Sequence, residues 1–147
     1  MYLEEAEKEA MIGMNNQEGG PFGAVIIDKN KTIIAKAHNQ VLKTNDPTAH
    51  AEILAIRMAC KKLNTKNLSD CIIYSTCEPC PMCLSAIIWA NIKKVYYGSN
   101  RKDASKAGFK DDDIYEYLSG NNQLLEKIEI NNKNCKDLFK KYDGEVY

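Results

Sequence analysis

Net charge is the first thing this chain lacks: its 20 lysine and arginine residues are matched by 20 aspartate and glutamate residues over 147 positions. The balance removes any global electrostatic pull toward nucleic acid or an anionic surface. Lys93-Lys94, Arg101-Lys102 and Lys140-Lys141 can form only a local patch, and scattered lysines more often make a solvated face. No apolar run approaches the roughly 18 residues of a membrane span, and no signal-peptide pattern is present, so the chain reads as soluble and cytoplasmic, with no membrane partner. No linker divides it. With 44% hydrophobic residues it can bury one core, which predicts a single domain over residues 1–147. Histidine is scarce, at two residues, and Cys-x-x-Cys spacing among the six cysteines occurs in one run only, where the pairs Cys77/Cys80 and Cys80/Cys83 share Cys80. That scarcity argues against a closed structural zinc site, which takes four protein ligands, usually from paired motifs.

The periodicities predict a mixed α/β fold. Residues 3–16 carry apolar positions at helical spacing and read as an amphipathic helix ended by Gly19-Gly20-Pro21. Residues 22–28 and 32–37 read as a hairpin around Asp28-Lys29-Asn30-Lys31. Asp46-Pro47 reads as an N-cap and first turn, opening a helix that carries His50 and Glu52 and runs to about residue 63. Residues 71–76 and 94–98 read as buried strands flanking a helix over roughly 81–90, a β-α-β unit that implies a parallel pair. Beyond an irregular stretch to Phe109, a short helix is expected over 111–118, a weaker strand over 125–130 and a last helix over about 133–142. The Asn-rich segments 121–122 and 131–134 read as loops. The sum is a five-stranded mixed sheet with helices on both faces.

Chemistry concentrates in two short motifs. His50-Ala51-Glu52 and Cys80-Pro81-Met82-Cys83 together offer three metal ligands, His50, Cys80 and Cys83, and one free carboxylate, Glu52. Three protein ligands leave one zinc coordination position open, and a water there reaches a pKa of roughly 7. Glu52 is then best used unligated, moving protons. Pro81 at a helix start sets Cys80 and Cys83 at an N-terminus, where the helix dipole favours thiolates. The competing readings are a redox Cys-x-x-Cys, an iron–sulfur run built on Cys77, Cys80 and Cys83, and a merely structural metal. The iron–sulfur run lacks a local fourth cysteine, and Cys60, Cys71 and Cys77 fit small buried hydrophobes.

The pairing H-x-E…P-C-x-x-C is the pattern of zinc nucleobase deaminases. With Gly20-Pro21-Phe22-Gly23-Ala24-Val25, Asn45-Asp46-Pro47-Thr48-Ala49-His50-Ala51-Glu52 and Cys77-Glu78-Pro79-Cys80-Pro81-Met82-Cys83, nearly the whole chain resembles the cytidine deaminase-like superfamily, in the branch of guanine deaminases and tRNA adenosine deaminases. The resemblance implies a three-layer α/β/α sandwich, one Zn2+ per chain held by His50, Cys80 and Cys83, Glu52 as proton shuttle, and a homodimer. Phe22, Trp89 and the run Ala107-Gly108-Phe109 ahead of Asp111 look more like the guanine-specific members, which implies conversion of guanine to xanthine. Deamination of a wobble adenosine in tRNA is the alternative. A non-catalytic, zinc-stabilised interaction module is a third, against which the unligated Glu52 argues. By position, Asn39 would hydrogen-bond the purine edge, Phe22 and Trp89 would stack on or wall the ring, Asp111 would contact the base, and Tyr147, in a C-terminal segment of about 131–147, would close the site. Glu145 is the nearest candidate for a family glutamate in the tail. Each has a plainer reading: Asn39 as a turn cap, Phe22 and Trp89 as core, Asp111 as a helix N-cap, and His38 as structural or solvated.

Overall fold

The computed structural model describes residues 1–147. Residues 23–27 make the central strand because each can be buried: Gly23, Ala24, Val25, Ile26 and Ile27 leave this strand, β1 (Gly23–Ile27), covered on both faces. Successive strand residues point to opposite faces. Ala24 and Ile26 accordingly pack with Ala51, Ala55, Ala59 and Ile87, whereas Val25 and Ile27 pack with Ala6. The first group comes from α3 (Ala51–Leu63) and α4 (Pro81–Trp89), and the second from α1 (Tyr2–Asn15). Three layers follow, with helices on both faces of the sheet. Ala51, Ala55 and Ala59 repeat every four residues, a small-residue stripe that lets α3 lie close to the sheet. On the other face Gly23 plays the same part, because a Cβ there would overlap the Ala6 carbonyl oxygen.

The sheet order is β2-β1-β3-β4, with β2 (Ile33–His38), β3 (Ile72–Cys77) and β4 (Val95–Ser99). β1 pairs antiparallel with β2 and β3, and β3 pairs parallel with β4 through the α4 crossover, as the β-α-β pattern predicts.

The sheet has four strands, not the five expected. Residues 125–130 mix three apolar with three charged positions, but they pair with no strand, and Leu125, Ile128 and Ile130 stay 62, 75 and 81% exposed. A strand has nothing to gain from the extended state without a ladder partner. α3 also starts later than expected. Asp46 closes a turn instead, its Oδ1 accepting from the Thr48 amide (2.8 Å) and hydroxyl (2.7 Å). The helix begins at Ala51, with His50 in the N-cap position. Two short helices were not anticipated, α2 (Val41–Thr44) and α5 (Arg101–Lys106). The expected helices over 111–118 and 133–142 appear as α6 (Asp111–Leu118) and α7 (Lys133–Lys141).

Candidate active site

Two helix N-termini meet at one point. His50 caps α3 and Cys80 caps α4, and Cys83 follows in the first turn of α4. The Nδ1 of His50 lies 3.6 Å from the Sγ of Cys80 and 3.6 Å from the Sγ of Cys83, and all three donor atoms fall within 4.8 Å of one another. Tetrahedral zinc, with Zn–S of about 2.3 Å and Zn–N of about 2.05 Å, requires an N···S separation of roughly 3.6 Å. The ligand set therefore fits zinc in spacing and donor type. The Cys83 thiol and the His50 ring, acting against burial, lower the Cys80 thiol to about 4, while Cys83, facing Cys80 and buried, is raised. A divalent cation held by the three donors would favour both thiolates. Cys77 is not part of the cluster: its thiol turns toward the Asn100 carbonyl at 3.7 Å, and Cys135 is exposed on α7. The iron–sulfur reading falls with it.

Glu52 is 4% exposed and stands beside the ligands. Its Oε1 accepts from the Ser75 hydroxyl (2.9 Å) and its Oε2 from the Cys83 thiol (3.4 Å). Burial pushes its carboxyl above the ordinary range, which suits a group that must hold a proton and release it. Ser75 was not foreseen as a partner. Its trace in the sequence is a hydroxyl at an inward position of an otherwise apolar alternation in β3, buried to 1%.

Above the metal ligands opens a cavity of about 310 Å³, at the small end of the roughly 300–1,000 Å³ of ligand pockets. His50, Glu52, Phe22, Asn39 and Asp111 all line it. Asn39, following β2, has its Oδ1 fixed by the Val41 amide (3.0 Å), which orients the Nδ2 donors away from that bond. Phe22 meets Phe109 edge to face, with ring centroids 4.8 Å apart and an interplanar angle of 77°. Phe109 lines the cavity and was missed as a site residue, although the Ala107-Gly108-Phe109 run marks its position. Asp111 opens α6, and its carboxyl is raised first by burial and then by the charge of Cys80. α6 is held over the zinc motif by the Tyr115 hydroxyl, which donates to the Pro79 carbonyl (2.8 Å), and by Arg101, which lies over the Tyr115 ring at 4.5 Å. Glu78 also lines the cavity, and no lysine or arginine does.

Two expected site residues lie elsewhere. Trp89 and Tyr147 sit 6.0 Å apart at a separate cavity of about 900 Å³ that includes Ile53, Arg57 and Glu145. α4 starts at the metal and runs away from it, so its last residue is carried about 9 Å along the axis beyond Cys83 at 1.5 Å per residue. Tyr147 does not close the site within its own chain, and Glu145 instead pairs with Lys66 (2.9 Å).

Residues 1–99 match the family model described as the cytidine and deoxycytidylate deaminase zinc-binding region. The chain belongs to this deaminase family. Zinc is thus the metal of the site, and the family's hydrolytic deaminase chemistry is that of the chain. Among relatives of this deaminase, the guanine deaminase of Bacillus subtilis is 54% identical over 117 residues, 80% of this chain and 74% of that protein. Its crystal structure superposes with a TM-score of 0.92 at 41% identity, covering 99% of this chain and 96% of the other. A tRNA-specific adenosine deaminase of Rickettsia bellii is 38% identical over 84% of this chain and 92% of its own. A solved tRNA:A34 deaminase gives a TM-score of 0.65 at 39% identity over 69% of this chain and 77% of that one.

Proposed function

We propose that this deaminase converts guanine to xanthine and ammonia. The observation that carries this reading is the superposition on a guanine deaminase at a TM-score of 0.92 over 99% of the chain, against 0.65 over 69% for the solved tRNA:A34 deaminase, together with 54% against 38% sequence identity. Charge supports it: Glu52, Glu78 and Asp111 line the cavity and no lysine or arginine does, which suits a neutral base and gives the phosphates of a polynucleotide no basic side chain to pair with. The one feature that favours RNA is the retracted tail, which leaves the cavity mouth uncovered by Tyr147.

Zinc held by His50, Cys80 and Cys83 supplies the Lewis acidity that makes water a nucleophile near neutral pH. Glu52 takes the proton of the attacking water, which adds to C2 of guanine, and returns protons to the ring nitrogen and to the departing amine; water is consumed and ammonia released. Ser75 holds the Glu52 carboxylate in the direction of the cavity. Asn39 donates from Nδ2 to a purine acceptor, Phe22 and Phe109, packed on each other edge to face, offer the ring an apolar wall, and Asp111 accepts from a ring N–H or the exocyclic amine. We place the enzyme in the cytoplasm, where Cys80 and Cys83 stay reduced. We also read it as a homodimer. Ile88 and Trp89 at the end of α4 are 65 and 66% exposed, and Leu138, Phe139 and Tyr142 of the tail are exposed as well. A tail reaching a partner's cavity would bring Tyr147 to a site it does not reach in its own chain.

Zinc-loaded protein incubated with guanine, adenine, cytosine and an adenosine-wobble tRNA, with ammonia and product measured by chromatography, tests the reading. The expected result is xanthine from guanine alone, reduced about 10²–10⁴-fold in Glu52→Ala with one zinc per chain retained. Inosine in tRNA and no xanthine would overturn it.

A further inference from the structure

Of the two histidines in the chain, one belongs to the metal site. The other, His38, ends β2 and sits directly before Asn39. Its Nδ1 faces the Glu9 carboxylate at 3.0 Å and its Nε2 faces the Glu18 carboxylate at 2.5 Å. A neutral imidazole has one N–H, and an ionised carboxylate only accepts, so only the imidazolium donates to both. The surroundings are built for this ring. A Cβ on Gly13 would stand 2.7 Å from the His38 Cδ2, so glycine in α1 makes the space it occupies.

Glu18 extends the clamp into the cavity wall. Its Oε1 accepts from the Lys43 ammonium at 3.0 Å, and its backbone carbonyl accepts from the amides of Leu42 and Lys43 at 3.0 Å each. Gly19 follows Glu18, Asn39 follows His38, and Val41 and Leu42 precede Lys43; all four line the cavity. One imidazolium therefore ties α1, the loop after it, the end of β2 and α2 into a single wall.

We propose that His38, held as an imidazolium between Glu9 and Glu18, is the positioning residue for the purine-binding wall of the cavity. The inference rests on the substrate reading above, since it assigns this wall to the base. His38 touches neither substrate nor metal; it acts through Asn39 and Gly19. Its protonated state is consistent with its surroundings: burial opposes the charge, but the hydrogen bonds to Glu18 and Glu9 outweigh burial and keep the ring above its ordinary value of 6.5. The charged groups around it are Glu9 of α1, Glu18 of the loop and Lys43 of α2. Further off are Lys36 of β2, itself paired with Glu5 at 3.3 Å, and Arg57 of α3 in the adjoining groove. Because the folded ring binds its proton more tightly than the unfolded one, the clamp is fully formed below pH 6.5 and is lost as pH rises through the raised value.

The test combines ring NMR with kinetics on the zinc-loaded protein and its Glu18→Gln and His38→Gln variants. With His50 committed to zinc through Nδ1, His38 is the imidazole left to titrate. Its midpoint is expected above 6.5 in the wild type and nearer 6.5 in Glu18→Gln. Both variants are expected to raise KM about tenfold, with kcat within twofold and one zinc per chain. In the wild type, KM should climb as pH passes the His38 midpoint, and the Glu18→Gln/wild-type KM ratio should shrink toward one; ionisation of the base itself cancels in that ratio. A midpoint at or below 6.5, an unchanged KM, or a fall in kcat accompanied by zinc loss would each overturn the proposal. KM is read on whichever substrate the wild type deaminates, and the NMR measurement needs no turnover. Failure of the guanine reading is thereby separated from failure of the clamp.

Discussion

Gly19 and Asn39 occupy almost the same space, since a Cβ on Gly19 would overlap both the Oδ1 and the backbone carbonyl of Asn39. Backbone cannot be pushed aside as a flexible side chain can. Gly19→Ala is therefore expected to shift Asn39 and raise KM for the base at least tenfold, with zinc content unchanged; steady-state kinetics beside metal analysis will show whether it does. At this scale the zinc cluster was legible because its chemistry is local: Cys80 and Cys83 are fixed by one helix turn, and His50 and Glu52 by another. Phe109 and Ser75 were harder to read. An aromatic in a loop and a serine in a strand gain their roles only from what the fold sets opposite them, here Phe22 and Glu52. Trp89 was misplaced for the same reason, because a motif gives identity and spacing but not the direction in which α4 leaves the metal.

Among the elements, α1 and β1 cross at a single glycine. A methyl group at residue 23 would overlap the Ala6 carbonyl oxygen and come within 2.8 Å of the Ala10 amide nitrogen. Gly23→Ala is expected to cost about 3 kcal/mol, measured as a lower urea midpoint with an unchanged slope. Elements with strong periodicity or explicit stop signals were readable to within a residue or two: α1, the hairpin strands, β3, α4, β4 and α6. α2 and α5 were not, being four and six residues long and thus too short to display a period. The expected fifth strand rested on the apolar residues Leu125, Ile128 and Ile130, but pairing depends on a neighbouring edge, which a single segment does not encode.

At the scale of the molecule, the exposed end of α4 and the exposed tail belong to one prediction. Deleting residues 143–147 is expected to leave zinc content and the far-ultraviolet circular dichroism intact and to lower kcat/KM for the base. Light scattering on the same sample reads the assembled mass. Unchanged activity together with an unchanged assembled mass would remove the tail from the site. The sheet order has a consequence for synthesis. β1 acquires β2 within a few residues, but its other edge is filled only when β3 emerges from residue 72 onward. Until then a nascent chain carries Gly23-Ala24-Val25-Ile26-Ile27, uncharged and apolar throughout, as a bare edge, the kind of segment that templates aggregation. By Cys83 that edge is paired and all three zinc ligands have been made, so on the ribosome the metal can be captured only after the hazardous edge has been covered.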